Sequence, residues 1–290
     1  MALNVGRFED RFWTSRDGLK LHYRDYPGDT PGRFPVICLH GLTRNARDFE
    51  GLAAHLSPAW HVLCPEMRGR GDSEYARDSA TYTPLQYLDD LEAFFAATGI
   101  ERFVAIGTSM GALLTMGMAL TRPERIAGFV FNDVGPVLER HGLSRIKDSV
   151  GQGRSFPTWV HAARGLEQMQ GAGHPGRDLG YWIRRAKQSM TLSSNGRIVF
   201  DYDMKVAEPF AAFDPAAQPD LWPAIDALAG KPALVVRGAM SDLLSAETLA
   251  AMAQRLPGCE TVTVPNCGHA PDIDDPLVLP AIERLLARVG

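Results

Sequence analysis

A serine held between glycines, Gly107-Thr108-Ser109-Met110-Gly111, joins two segments of opposite character. Before it, Phe103-Val104-Ala105-Ile106 is a β-branched and aromatic run that reads as a buried parallel strand. After it, Ala112 to Met116 has helix formers on every face and reads as a buried helix. A strand that turns sharply into a helix strains its central residue and leaves no room for side chains beside it. The G-x-S-x-G pattern is the sequence form of such an elbow, which lifts the serine hydroxyl clear of the sheet. The five letters alone recur by chance, so the neighbouring segments must carry the case.

Three neighbours do so. Pro232 to Gly238 is a second buried-strand pattern, and its exit loop carries Ser241-Asp242. Glu260 to Pro265 reads as a last strand, followed by Gly268-His269-Ala270. Upstream, Val36 to Leu39 runs into His40-Gly41-Leu42, a strand-to-helix loop able to present a backbone N–H to an oxyanion. Serine, acid and histidine therefore follow one another along the chain, each just past a strand end.

These segments resemble the α/β-hydrolase-fold serine hydrolases, over nearly the whole chain. The matching pieces are His40-Gly41-Leu42, the loop Glu66 to Ser73, Gly107 to Gly111, Arg237-Gly238 with Asp242, and Gly268-His269-Ala270-Pro271. The loop resembles the family's D-x-R-G-x-G-x-S pattern, with Glu66 in place of the aspartate. The resemblance implies a carboxylesterase-like serine hydrolase without a cofactor, built as a doubly wound, mostly parallel α/β sheet with an inserted helical cap.

Composition is consistent with that expectation. The chain has 290 residues, 45% hydrophobic and 22% charged, enough to bury a full core. A formal net charge of −4 argues against nucleic acid or an anionic membrane as partner. No apolar stretch approaches bilayer length, and Met1 to Asp10 lacks the apolar core of a secretory signal. The four cysteines, Cys38, Cys64, Cys259 and Cys267, show no metal-ligand spacing. Two of them fall in predicted buried strands, where a small thiol packs well. A reduced, cytoplasmic protein with no metal and no cofactor is expected.

Along the chain, Phe8 to Tyr26 alternates around Asp17-Gly18, which predicts a hairpin. A helix is expected near Asn45 to Leu56, and another from Pro84 to about Thr98 with Thr83 as N-cap. Further strands are expected at His61–Cys64 and Ile126–Phe131, and a closing helix at Pro276–Val289. Strands and helices alternating in this way build a sheet covered on both faces. The alternation stops after Gly135-Pro136. Residues 137–221 show amphipathic stretches and no buried strand, and are expected to form the helical cap. Residues 1–136 and 222–290 would form the core.

Each candidate residue has a chemical reason and a competing one. Ser109 is the expected nucleophile, and a neutral serine needs a base within hydrogen-bond reach. His269 would be that base, with Asp242 holding its imidazole in the right tautomer. Asp133 competes for the acid's role, although Asn132 to Pro136 also reads as a structural turn. The backbone N–H groups of Leu42 and Met110 would receive the oxyanion. His40, Arg68 and Arg70 are expected to order loops, while Arg44 could face a substrate carboxylate. The insert's aromatic residues, Trp159 and Tyr181 among them, would wall an apolar pocket between cap and core.

The expected reaction is hydrolysis of a small to medium, apolar carboxylic ester by water. Serine at the elbow disfavours the carboxylate-nucleophile branches of the fold. Carbon–carbon hydrolysis of meta-cleavage products is the main alternative, but those enzymes follow the histidine with tryptophan, and here Ala270-Pro271 follows. A lactonase uses the same triad. A weakly catalytic ligand receptor is the answer of a different class.

Overall fold

The computed structural model describes residues 7–28, 31–214 and 217–289. Most of the segment on which the absence of a leader was expected, Met1 to Gly6, lies outside them. The chain opens with the hairpin β1 (Glu9–Thr14) and β2 (Lys20–Tyr26), antiparallel around Asp17-Gly18. Four strands follow: β3 (Val36–Leu39), β4 (Val62–Pro65), β5 (Phe103–Thr108) and β6 (Ile126–Asn132). An insert then carries β7 (Ser155–Phe156), β8 (Met190–Leu192) and β9 (Ile198–Phe200). The last two strands are β10 (Ala233–Gly238) and β11 (Glu260–Val264).

Eight of these strands form one sheet in the order β1-β2-β4-β3-β5-β6-β10-β11. β2 pairs antiparallel with both β1 and β4, and every pair beyond β4 is parallel. The central strands send alternate side chains into two separate cores. Ile37, Leu39, Phe103, Ala105, Phe129 and Val235 enter one, and Val36, Cys38, Val104, Ile106, Val130 and Val236 enter the other. A strand buried on both faces has no polar alternation, which is why these segments read as continuous apolar runs.

Helices close both faces. α1 (Glu50–Leu56) follows a single 3-10 turn, so the expected helix from Asn45 is split at Phe49. α2 (Pro84–Thr98) begins with Pro84, and the Thr83 hydroxyl accepts the Gln86 N–H. α3 (Met110–Ala119) leaves the elbow. The insert holds α4 (Arg140–Ser149), α5 (Trp159–Gln170), α6 (Leu179–Ser189) and α7 (Ala207–Ala212). After it come α8 (Trp222–Ala227), α9 (Ala246–Arg255) and α10 (Leu279–Ala287), the last shorter than the expected Pro276–Val289. α2 and α3 contribute Phe94, Leu114 and Met116 to the first core, and α1 and α10 contribute Leu52 and Ile282 to the second.

The insert differs from the expected purely helical cap. β7, β9 and β8 form a small antiparallel sheet of their own, in strands of two or three residues. Runs that short leave no period-2 pattern to read. Its helices α5 and α6 enclose a third core around Leu166, Trp182 and Ala186. Arg47 anchors this insert from below: its guanidinium donates to the carbonyls of Lys187, Gln188 and Met190 and to Asp201 (2.6 Å). A cation there also complements the negative end of the α6 dipole. A second seam joins Gly71 N–H to Asp201 O and Asp203 N–H to Gly69 O.

The loop from Glu66 to Ser73 is held by buried charges. Glu66 accepts from the N–H groups of Ala46 and Asp72 and from His22 Nδ1, so the longer side chain still performs local loop bonding. Arg68, fully buried, makes paired bonds to Asp90 (2.7 and 2.6 Å) and to Asp17 (2.8 and 2.9 Å). Asp90 is as buried as Arg68, whereas Asp17 is 45% exposed. Removing a buried partner strands the other charge out of water, whereas an exposed partner contributes little. Asp90→Ala is therefore expected to cost about 3–5 kcal/mol in urea unfolding, and Asp17→Ala less than about 1 kcal/mol. Equal costs for the two would contradict this division.

Candidate active site

Ser109 is the N-cap of α3, with φ 52° and ψ −115°, a conformation that L-residues rarely adopt. The strain is imposed by how closely α3 approaches the strands. A Cβ at Gly111 would lie 2.0 Å from the Leu39 carbonyl oxygen, and one at Gly107 would lie 2.4 Å from the Ala112 nitrogen. Neither site admits any other residue without moving backbone. The Ser109 carbonyl turns into the helix and accepts from Ala112 and Leu113 N–H, leaving the side chain at the mouth of a cavity.

His269 follows β11 and reaches the serine, its Nε2 2.9 Å from Ser109 Oγ. Its Nδ1 lies 2.8 Å from Oδ2 of Asp133. An ionised carboxylate can only accept, so Nδ1 carries the proton and Nε2 is the free acceptor for the serine hydroxyl. Asp133 is fully buried just past β6, in the left-handed region at φ 60°. Its Oδ1 accepts from Gly238 N–H (2.8 Å), and its Oδ2 accepts from Ser241 Oγ (2.7 Å) as well as from His269. Those two donors, from the last residue of β10 and the loop after it, compensate the buried charge and fix the carboxylate plane.

The expected acid, Asp242, is not the partner of His269. Its carboxylate is clasped by Arg145 of α4 at 2.5 and 2.7 Å, and that ion pair holds it below the usual carboxylate range despite partial burial. β6 and β10 are neighbours in the sheet, so both acids leave the same edge. The turn after β10 decides between them: Ser241 N–H bonds back to Gly238 O, the Ser241 hydroxyl points inward to Asp133, and Asp242 turns outward to the insert. Ser241 is the site residue that sequence reasoning passed over. Its place beside Asp242 was the available signal.

The N–H groups of Leu42 and Met110 have no hydrogen-bond partner among the described residues. Gly41 lies against Ser109, since a Cβ there would sit 3.8 Å from Ser109 Cβ. His40 sets the Gly41–Leu42 peptide. Its Nε2 accepts from Met67 N–H (3.0 Å), so its Nδ1–H donates to the Gly41 carbonyl (2.7 Å). In a trans peptide the next N–H points the opposite way, which turns the Leu42 N–H away from His40. Arg70 holds the far side through Nε to the Leu42 carbonyl (2.9 Å).

The cavity beyond Ser109 is about 210 Å³, and its wall is mixed. Arg44, Asp48, Arg145 and Arg185 line it beside Ile146, Val150 and Phe200. Arg44 reaches it as expected from its position, but its Nε and Nη2 are both engaged by Asp48. Trp159 and Tyr181 do not line it. They pack in the insert's own core, because the helices bearing them bury that face against each other. Among the described residues, one cluster has metal-ligand proximity: His22, Glu66 and Asp72. Both Glu66 oxygens are already occupied by loop N–H groups and His22, so that cluster reads as loop structure.

Burial, with the Arg70 charge nearby, pushes the His40 imidazole down to about 4 although its bond to Gly41 favours the charged form. Burial and Arg185 likewise push His174 to about 4. The unfolded chain takes up these protons near pH 6.5 and the folded chain refuses them. Their contribution to stability is thus complete above about pH 6.5 and is lost as the pH falls towards about 4. His22 has the opposite sign: burial opposes its charge, but Glu66 prevails and raises it, so its contribution is lost as pH rises. The urea midpoint is expected to fall between pH 7 and pH 5, and less steeply in His40→Gln. An unchanged slope in that variant would contradict the role of His40.

The family model described as alpha/beta hydrolase fold matches residues 35–276. A crystal structure of an alpha/beta hydrolase from Novosphingobium aromaticivorans shares 59% identity at a TM-score of 0.94, covering 98% of this chain and 100% of its own. A 3-hydroxybutyrate-oligomer hydrolase from Cupriavidus necator is 34% identical over 266 residues, 89% of each chain. A 2-(acetamidomethylene)succinate hydrolase from Mesorhizobium japonicum is 25% identical over 252 residues, 87% of each. With its sheet order, elbow and matched span together, the chain belongs to the alpha/beta hydrolase fold family and is a hydrolase.

Proposed function

We propose that this chain hydrolyses carboxylic esters through an acyl-serine intermediate. The observation that carries this reading is the unbroken line Ser109 Oγ–His269 Nε2 (2.9 Å) and His269 Nδ1–Asp133 Oδ2 (2.8 Å). Ser109 Oγ attacks the ester carbonyl while His269 Nε2 takes its proton, and the carbonyl π electrons move onto oxygen. The Leu42 and Met110 N–H groups are free to stabilise that oxyanion. Collapse of the intermediate breaks the carbon–alkoxide bond, and His269 returns the proton to the departing alcohol. Water then attacks the acyl-serine by the same route, releasing the acid and restoring Ser109. Asp133 holds the imidazole in its tautomer and stabilises the imidazolium that forms.

The residues between β6 and β10 act as a cap in this reading, since α4 and α6 supply cavity walls. The mixed wall and the modest volume favour a short substrate with polar ends over the apolar ester first expected. The relative named as a 3-hydroxybutyrate-oligomer hydrolase supports short oligoesters of hydroxy acids as the substrate class.

Steady-state hydrolysis of p-nitrophenyl butyrate tests the assignment. Ser109→Ala and Asp133→Asn are each expected to lower kcat by about 10⁴-fold or more. Asp242→Asn removes an ion pair at the cavity rim and is expected to change it less than about tenfold. A larger loss for Asp242→Asn than for Asp133→Asn would return the acid to Asp242.

A further inference from the structure

Three arginines line the cavity that holds Ser109, and they are not equivalent. Arg44 is held by Asp48, and Arg145 by Asp242, each in a two-point ion pair through Nε and Nη2. Arg185, on α6, is only 13% exposed and makes one side-chain hydrogen bond, from Nη1 to Asp272 (2.7 Å). Its Nε is buried and has no partner. Its Nη2 likewise has no hydrogen-bond partner among the described residues and, unlike Nε, is not sealed from solvent, so it is the donor left for a ligand in the cavity. A carboxylate is the ligand whose geometry matches such a planar fork.

The surrounding charge points the same way. Arg177, Arg184 and Arg185 all lie over the Tyr181 ring, at 4.9, 5.4 and 5.9 Å. Asp272 pairs with both Arg184 and Arg185, so its one negative charge is shared between two cations. Arg177 has no ion-pair partner among the described residues. Of the other acids on the cavity wall, Asp48 is committed to Arg44, and burial together with Asp272 raises the Asp274 carboxyl. Of Arg177, Arg184 and Arg185, only Arg185 lines the cavity, next to the loop that bears His269.

We propose that Arg185 anchors a free carboxylate on the substrate, so that the ester cleaved at Ser109 belongs to an anionic molecule such as a hydroxy-acid oligomer with its acid end uncapped. This rests on the ester-hydrolase reading for the bond cleaved, but the anion site itself requires only the cavity. Arg185 acts on binding and specificity and takes no part in the proton transfers.

The linear dimer of 3-hydroxybutyrate, as the free acid and as its terminal carboxamide, separates the two ideas. Calorimetric titration into the Ser109→Ala protein reads binding without turnover. The acid is expected to bind about tenfold or more tightly than the carboxamide, the difference a charge-assisted hydrogen bond supplies. Arg185→Gln in that background should bring the ratio close to one, and Arg185→Lys should keep part of it. Equal binding of acid and carboxamide by the Ser109→Ala protein, or a ratio that survives Arg185→Gln, overturns the proposal. If the acid is preferred while wild type leaves p-nitrophenyl butyrate uncleaved, the anion site stands and the ester-hydrolase reading falls.

Discussion

The close approach of α3 to the sheet is the constraint on which the site depends. Gly107 and Gly111 leave no space even for a methyl group between helix and strands. The chain can pass from β5 to α3 only by placing Ser109 at positive φ. That strained turn is compensated by the two buried cores on either side of the sheet, which together hold β5 and α3 where they are. The position of the Ser109 hydroxyl and the free N–H of Met110 both follow from one packing distance.

Much of this was legible in the chain. Continuous apolar runs gave away strands buried on both faces, and Thr83-Pro84 marked a helix start to the residue. The serine and histidine positions were readable because each follows a strand whose pattern is unmistakable. The acid was not, for a physical reason. Asp133 and Asp242 leave adjacent parallel strands at the same edge, and spacing cannot tell which carboxylate turns inward. The outcome depends on a three-residue turn after Gly238 and on an arginine nearly a hundred residues away. The cavity wall was hidden for a related reason. Trp159 and Tyr181 lie on helices that bury them against each other, while the long polar side chains of Arg145 and Arg185 reach the cavity instead.

The loop after β10 has accordingly been divided between two tasks. Ser241 gives its hydroxyl to the buried Asp133, and Asp242 ties that loop to α4 of the insert through Arg145. The insert is fastened elsewhere by Arg47, by the Gly69–Asp203 and Gly71–Asp201 bonds, and by Gly268 N–H to Gly173 O beside the histidine loop (2.6 Å). So the walls of the cavity and the Ser109–His269–Asp133 line beneath them belong to one hydrogen-bonded structure.

The central claim is that Ser109 carries the acyl group during turnover. Rapid acid quench of wild-type protein mixed with p-nitrophenyl butyrate, followed by mass analysis of its peptides, tests it directly. A butyryl increment on the peptide containing Ser109, appearing before steady state, is the expected result. An acyl group on another residue, or turnover with no acylated peptide at any time, would contradict it.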